Sequence, residues 1–255
     1  MKHYLILLVC ISFLTFSKGY GINTSQNSFT TYANSIPKDI LPAVDHAQWS
    51  DLLSKHVTDE GNVDYKGFKS DEEALQAYLK ILKENPPSEF WSEKEVLAYW
   101  INVYNAFTVR LILDNPSVKS IKDIKEPWDK KFILIGKKWY SLGDIEHNIL
   151  RKMNEPRIHF AINCASYSCP ILLNTAYTAE RLDAQLEVAS YRFVTDASKN
   201  AITKEAIQIS KIFEWFAEDF EEQGGVISFL NTYSTVEIDA DAEVTYKDYN
   251  WSLNN

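Results

Sequence analysis

The stretch from Ser92 to Leu113 constrains this chain more than any other part of it. Ser92-Glu93-Lys94-Glu95 has the form of a capping box, in which the Ser92 hydroxyl accepts from the third helical N–H and the Glu95 carboxylate reaches back to the Ser92 N–H. Beyond the box, Val96 to Leu113 is apolar nearly all round, and Asn115-Pro116 marks the stop. A surface helix keeps a polar face; a helix without one must be wrapped by other elements. The spacing therefore predicts a central, buried helix. Asn102 and Asn105 lie three apart inside it and share a face, and Glu95, seven before Asn102, shares that face with Tyr99 between. A buried amide left without partners costs about 1–3 kcal/mol, so these asparagines either tie loops to the helix or line a polar pocket.

Other elements follow from local signals. Apolar residues recur at helical spacing around Trp49, Leu52, Leu53 and Val57, and a second helix is expected near 73–83, closed by Pro86-Pro87. Phe132 to Leu134, Gly136 and Trp139-Tyr140 read as a hairpin, and Ser141 caps a short helix through Asp144, Glu146 and Leu150. Residues 157–164 are mostly apolar and read as a buried strand, Thr178 caps a helix to about Phe193, and Ala206–Ile209 is a strand. Residues 211–220 and 226–233 read as helices, and 243–253 as a closing strand. Helices and hairpins mix without βαβ alternation, so the expected class is α+β, a single domain over 43–255 with the central helix on a small mixed or antiparallel sheet. With 45% of 255 residues hydrophobic, one sizeable core can be filled.

Residues 1–20 read as a signal peptide: Lys2 and His3, an apolar run from Tyr4 to Phe16, then Ser17-Lys18-Gly19. The expected location is exported, periplasmic or extracellular. Val9 beside Cys10 is too large for a lipoprotein cleavage point, and no other segment reads as long and apolar enough to cross a membrane. Residues 21–42, rich in Ser, Asn and Thr, read as a flexible leader. Loss of Lys2 and Lys18 takes the net charge from −9 to −11, which disfavours nucleic-acid and membrane-surface partners and leaves a small molecule or peptide as the expected substrate.

Several segments together resemble domain-of-unknown-function family 547, as an exported, bacterial-type member. The resemblance is carried by Leu97-Ala98-Tyr99-Trp100-Ile101-Asn102-Val103-Tyr104-Asn105-Ala106, by Ser141-Leu142-Gly143-Asp144-Ile145-Glu146-His147, and above all by the window from Glu155-Pro156-Arg157-Ile158-His159 to Ser168-Cys169-Pro170. It implies a fold like the papain-like or transglutaminase-like cysteine hydrolases. Such enzymes present the thiol at the start of a central helix, where this chain carries Glu95 instead.

Thiol catalysis needs a thiolate, a base within reach and a group to orient the base. His159 is the candidate base, Cys164 or Cys169 the nucleophile, and Glu95 or Asn102 the orienting group. On a strand, Cys164 would face away from His159, whereas Cys169 lies in a Ser-rich turn where Pro170 could open a helical turn and lower the thiol pKa. Backbone amides of the Ser166–Pro170 turn are the candidate oxyanion donors. In an oxidising compartment the same two cysteines are a disulfide candidate, and the chain would then be a binding module with a stapled core. Asp144, Glu146 and His147 crowd one helix start, but neighbours on a helix point about 100° apart, so Asp144 reads as an N-terminal charge and no metal or cofactor is expected. Trp128, Trp139, Tyr140, Trp215, Tyr246 and Trp251 are mostly core aromatics that could also line a ligand groove.

Overall fold

The computed structural model describes residues 43–255, so the expected signal peptide, the expected leader and Cys10 lie outside the described residues. Three helices, α1 (Ala47–His56), α2 (Tyr65–Ser70) and α3 (Glu72–Glu84), come first. Their apolar stripes meet, with Trp49 of α1 stacked on Tyr78 of α3 at 5.7 Å. They pack round α4 (Glu93–Leu113), whose capping box forms as expected: Ser92 Oγ accepts from Glu95 N, and Ser92 N donates to Glu95 Oε2 at 2.7 Å. Nearly every residue of α4 from Leu97 onward is buried. By length and composition α4 is apolar enough to cross a membrane, contrary to the expectation above, but its apolar surface is spent inside the protein.

The hairpin β1 (Ile133–Ile135) and β2 (Lys138–Tyr140) turns at Gly136, whose φ of +59° suits glycine. Ser141 then caps α5 (Leu142–Asn148). A second core gathers further along the chain. It holds a cluster of phenylalanines (Phe160, Phe193, Phe213, Phe220 and Phe229) from α6 (Leu182–Thr195), α7 (Ile212–Trp215), α8 (Val226–Tyr233) and their connections. A sheet of β3 (Ala201–Ile202), β4 (Ala206–Ile209) and β5 (Glu243–Tyr246) completes it, β4 pairing antiparallel with β3 and parallel with β5. Along β4 burial alternates, with Ile207 and Ile209 turned to this core. The architecture is a single α+β domain, about half helical with two small sheets.

Four expectations are corrected. Residues 157–164 do not form a strand: Pro156–Phe160 is a 3₁₀ turn, started by Pro156 in its first turn and by the Glu155 side chain accepting from Arg157 N. Pro170 opens no helix; an irregular run follows it. The helix expected from Thr178 begins only at Leu182, and the expected 211–220 helix divides into α7 and a 3₁₀ stretch, Ala217–Gln223. The turn at Pro156–Phe160 matters most, because Ile158 and Ile162 enter the first core while Phe160 enters the second.

Candidate functional site

The segment that joins the two cores also builds a cavity of about 270 Å³. After the 3₁₀ turn the chain reverses through Ala165, a non-glycine residue held at φ +60°. The reversal is pinned from all sides. Asn163 N donates to Asn105 Oδ1, Asn105 Nδ2 donates to Ala161 O, and Asn163 Nδ2 crosses the loop to Pro170 O. Cys164 and Cys169 are thereby brought together, with Cα atoms 6.3 Å apart, and form a disulfide at the edge of the cavity. Cys164 is half-buried and Cys169 is 5% exposed.

His159 lines the same cavity. Its Nε2 lies 2.7 Å from Asp219 Oδ2, and its ring stacks on Phe216 at 4.1 Å. Asp219 also takes a two-pronged contact from Arg151, Nε at 2.6 Å and Nη2 at 2.7 Å. Burial pushes the Asp219 carboxyl up, but its bonds to His159 and Arg151 outweigh this and hold it well below the usual carboxylate range. Burial also pushes the His159 pKa down, only partly offset by Asp219. A neutral ring beside an ionised carboxylate must carry its proton on Nε2, which leaves Nδ1 as the accepting nitrogen.

The cavity also holds an acid. Glu146 is 8% exposed, and burial pushes its carboxyl up to about 7. Tyr104 Oη donates to Glu146 Oε2 at 3.3 Å. Tyr249, whose hydroxyl burial keeps protonated, donates to Cys169 Sγ at 3.2 Å and lies 3.5 Å from Cys164 Sγ. Aromatic rings form the wall: Trp251 packs on Trp215, Trp128 and Tyr249 with centroids 5.7, 5.5 and 4.4 Å away.

Of the expected site residues, the structure brings His159, Cys164 and Cys169 to one cavity and leaves Glu95 and Asn102 out of it. Glu95 is occupied with its cap and lines a separate cavity beside His46. Asn102 binds the backbone of Tyr177 through both ends of its amide, and Asn105 does the same for Ala161 and Asn163, so both asparagines tie loops to α4. The orienting group on His159 is Asp219. Nor is the Ser166–Pro170 turn a set of free donors: the N–H groups of Tyr167, Ser168 and Cys169 go to carbonyls of Ser252, Asn250 and Ser166. Of the six aromatics expected to be mostly core, none is fully buried: Trp128, Trp215 and Trp251 line the cavity, and Trp139 and Trp215 are exposed. Glu146 was dismissed in sequence with Asp144 and His147, yet a signal was present. Leu142, Ile145 and Glu146 fall at helical spacing on one face, and two large apolar neighbours mark that face as the buried one.

Fold and cavity together define an α+β domain wrapped round one helix. Its single described disulfide sits at the edge of an aromatic-walled pocket that a hydrogen-bonded imidazole and a buried acid also line. Residues 88–194 match the family model described as "Protein of unknown function, DUF547", which supports the resemblance carried by the 155–170 window. No curated protein and no solved structure matches the chain. The matched stretch contains His159, Glu146 and both cysteines; Asp219 and Tyr249 lie beyond it.

Proposed function

We propose that the cavity is the site of a cysteine-dependent hydrolase or acyltransferase acting on amide or thioester bonds, with the disulfide as its resting form. One observation carries the reading. Both sulfurs share a cavity with an imidazole whose Nε2 is committed to Asp219, so that Nδ1 is the nitrogen left to take a thiol proton. Once the pair is reduced, Cys164, the more exposed sulfur, attacks the acyl carbon and His159 carries the proton to the leaving group. The Tyr249 hydroxyl and the protonated Glu146 carboxyl replace the turn amides as donors to the oxyanion. The substrate is a small molecule or peptide, met outside the cytoplasm if the first twenty residues act as a signal. The test is hydrolysis of a panel of acyl thioesters and peptide amides by protein reduced with dithiothreitol. We expect turnover that falls at least about a hundredfold in His159→Ala, the size of a lost general base, and by a smaller factor in Asp219→Asn. Turnover by the oxidised protein, or none by the reduced one across the panel, removes the reading.

A second reading, a non-catalytic binding module stapled by the disulfide, is favoured by the use of the Tyr167, Ser168 and Cys169 amides within the fold. It expects no free thiol in the isolated protein and no acceleration of alkylation after reduction.

A further inference from the structure

The two sulfurs are not equivalent, and the difference has a direction. Cys169 Sγ, the buried one, already accepts two hydrogen bonds, from Cys164 N at 3.1 Å and from Tyr249 Oη at 3.2 Å. Cys164 is the less buried residue of the two, and its Sγ has the hydroxyls of Ser166 and Tyr249 at 3.3 and 3.5 Å. Thiol–disulfide exchange is fastest when the attacked sulfur is accessible and the departing one is a stabilised thiolate. We infer that the Cys164–Cys169 disulfide is an exchange site for dithiols, with Cys164 the sulfur attacked and Cys169 the sulfur that leaves. The site shares its cavity with the acyl-transfer reading but is independent of His159 and of any acyl substrate.

A thiolate of the incoming dithiol bonds to Cys164 Sγ as the Cys164–Cys169 bond breaks, and its electron pair departs on Cys169, where a backbone N–H and the Tyr249 hydroxyl receive the charge. The dithiol's second thiol then attacks its own sulfur in the mixed disulfide and expels Cys164. The dithiol is oxidised to a disulfide, the protein pair is reduced, and the two protons given up by the dithiol end on Cys164 and Cys169. Glu146, in the same cavity and still protonated up to about pH 7, can relay one of them.

The experiment is the rate at which dithiothreitol reduces the oxidised full chain at pH 7, with oxidised glutathione as the reference disulfide and no acyl substrate present. Reduction at least about tenfold faster than the reference is expected, slowed about tenfold in Tyr249→Phe with an unchanged melting temperature. In Cys169→Ser, oxidised glutathione should be captured as a mixed disulfide on the peptide that carries Cys164. Reduction no faster than the reference, or an unaltered rate in a folded Tyr249→Phe, overturns the inference. So does failure of Cys164 to capture glutathione, which remains decisive even if Tyr249→Phe does not fold. Because no acyl group is involved, inactivity toward thioesters and amides leaves this result standing, and fast exchange does not by itself support acyl transfer.

Discussion

Glu146 sits on the buried side of α5, where Tyr104 donates to it and the charges of Arg151 and Asp219 pull in opposite directions. Tyr249 lies near enough to feel its charge. Burial wins, and the carboxyl moves from an ordinary 4.5 to about 7. The sign of the consequence is fixed by linkage. Between those values the folded protein holds a proton that the unfolded chain has lost, so the free energy of unfolding falls as pH rises. The contribution is whole below about pH 4.5 and gone above about 7. A shift of this size corresponds to about 3 kcal/mol at about 1.4 kcal/mol per pK step. Glu146→Gln removes the titration. Urea unfolding of both proteins should therefore show the wild type losing about 3 kcal/mol relative to the variant between pH 4.5 and 8. His159 and His147, whose pKa values burial depresses, act oppositely as pH falls below 6.5, but they are present in both proteins and largely cancel in the difference. A flat difference would mean that Glu146 is hydrated and ionised in the fold.

Within α4, two polar side chains on one face do the work of positioning. Asn105→Ala leaves the Ala161 carbonyl and the Asn163 N–H buried without their partner, at a cost of about 3 kcal/mol for the two groups. Because those groups start the reversal that carries Cys164, the same variant should also change the rate at which Cys164 and Cys169 are alkylated after reduction. Asn102→Ala should cost a similar amount, since it frees both backbone groups of Tyr177. Urea midpoints and alkylation kinetics read both effects, and a midpoint unmoved in Asn105→Ala would show that water replaces the side chain. This face of α4 was legible in sequence as two amides in an apolar helix, and so were the capping box and the hairpin, because each rests on signals a few residues apart. The 3₁₀ turn at Pro156–Phe160 was not. A short apolar run has no periodicity of its own, and the choice between strand and turn was made by Pro156, the Glu155 cap and two cores pulling alternate residues apart. Asp219 was illegible for a different reason. It lies sixty residues from His159, in an acidic run with Glu218, Glu221 and Glu222 from which no spacing singles it out.

Across the whole molecule, α6 runs from the first core, at Leu182 and Leu186, into the second, at Phe193, and two irregular crossings join the cores as well, the first by the 156–164 segment and the second by the residues after β5. That second crossing is dense in hydrogen bonds. Tyr167 N donates to Ser252 O, Leu253 N to Lys119 O, Asn254 N to Ala165 O and Val63 N to Asn254 O, while the Asn254 side chain meets Tyr65 and Asn163. One strand of chain thus ties α2, the loop after α4 and the cysteine loop together, and it delivers Tyr249 and Trp251 to the cavity on its way. Ending the chain after Asp248 should then do more than delete a few exposed residues. Several buried groups lose their partners at once, and even a net loss of about 4 kcal/mol lowers the melting temperature of a domain this size by about 10 °C. The cavity should fail with it, because the donor to Cys169 and one aromatic wall leave together. Calorimetry and dithiothreitol reduction on the shortened protein measure the two effects side by side. A melting temperature within about 2 °C of the parent would show that the first core closes without this crossing. If reduction also proceeded at the parent's rate, Tyr249 would play no part in the departure of Cys169, and the exchange inference would fall with it.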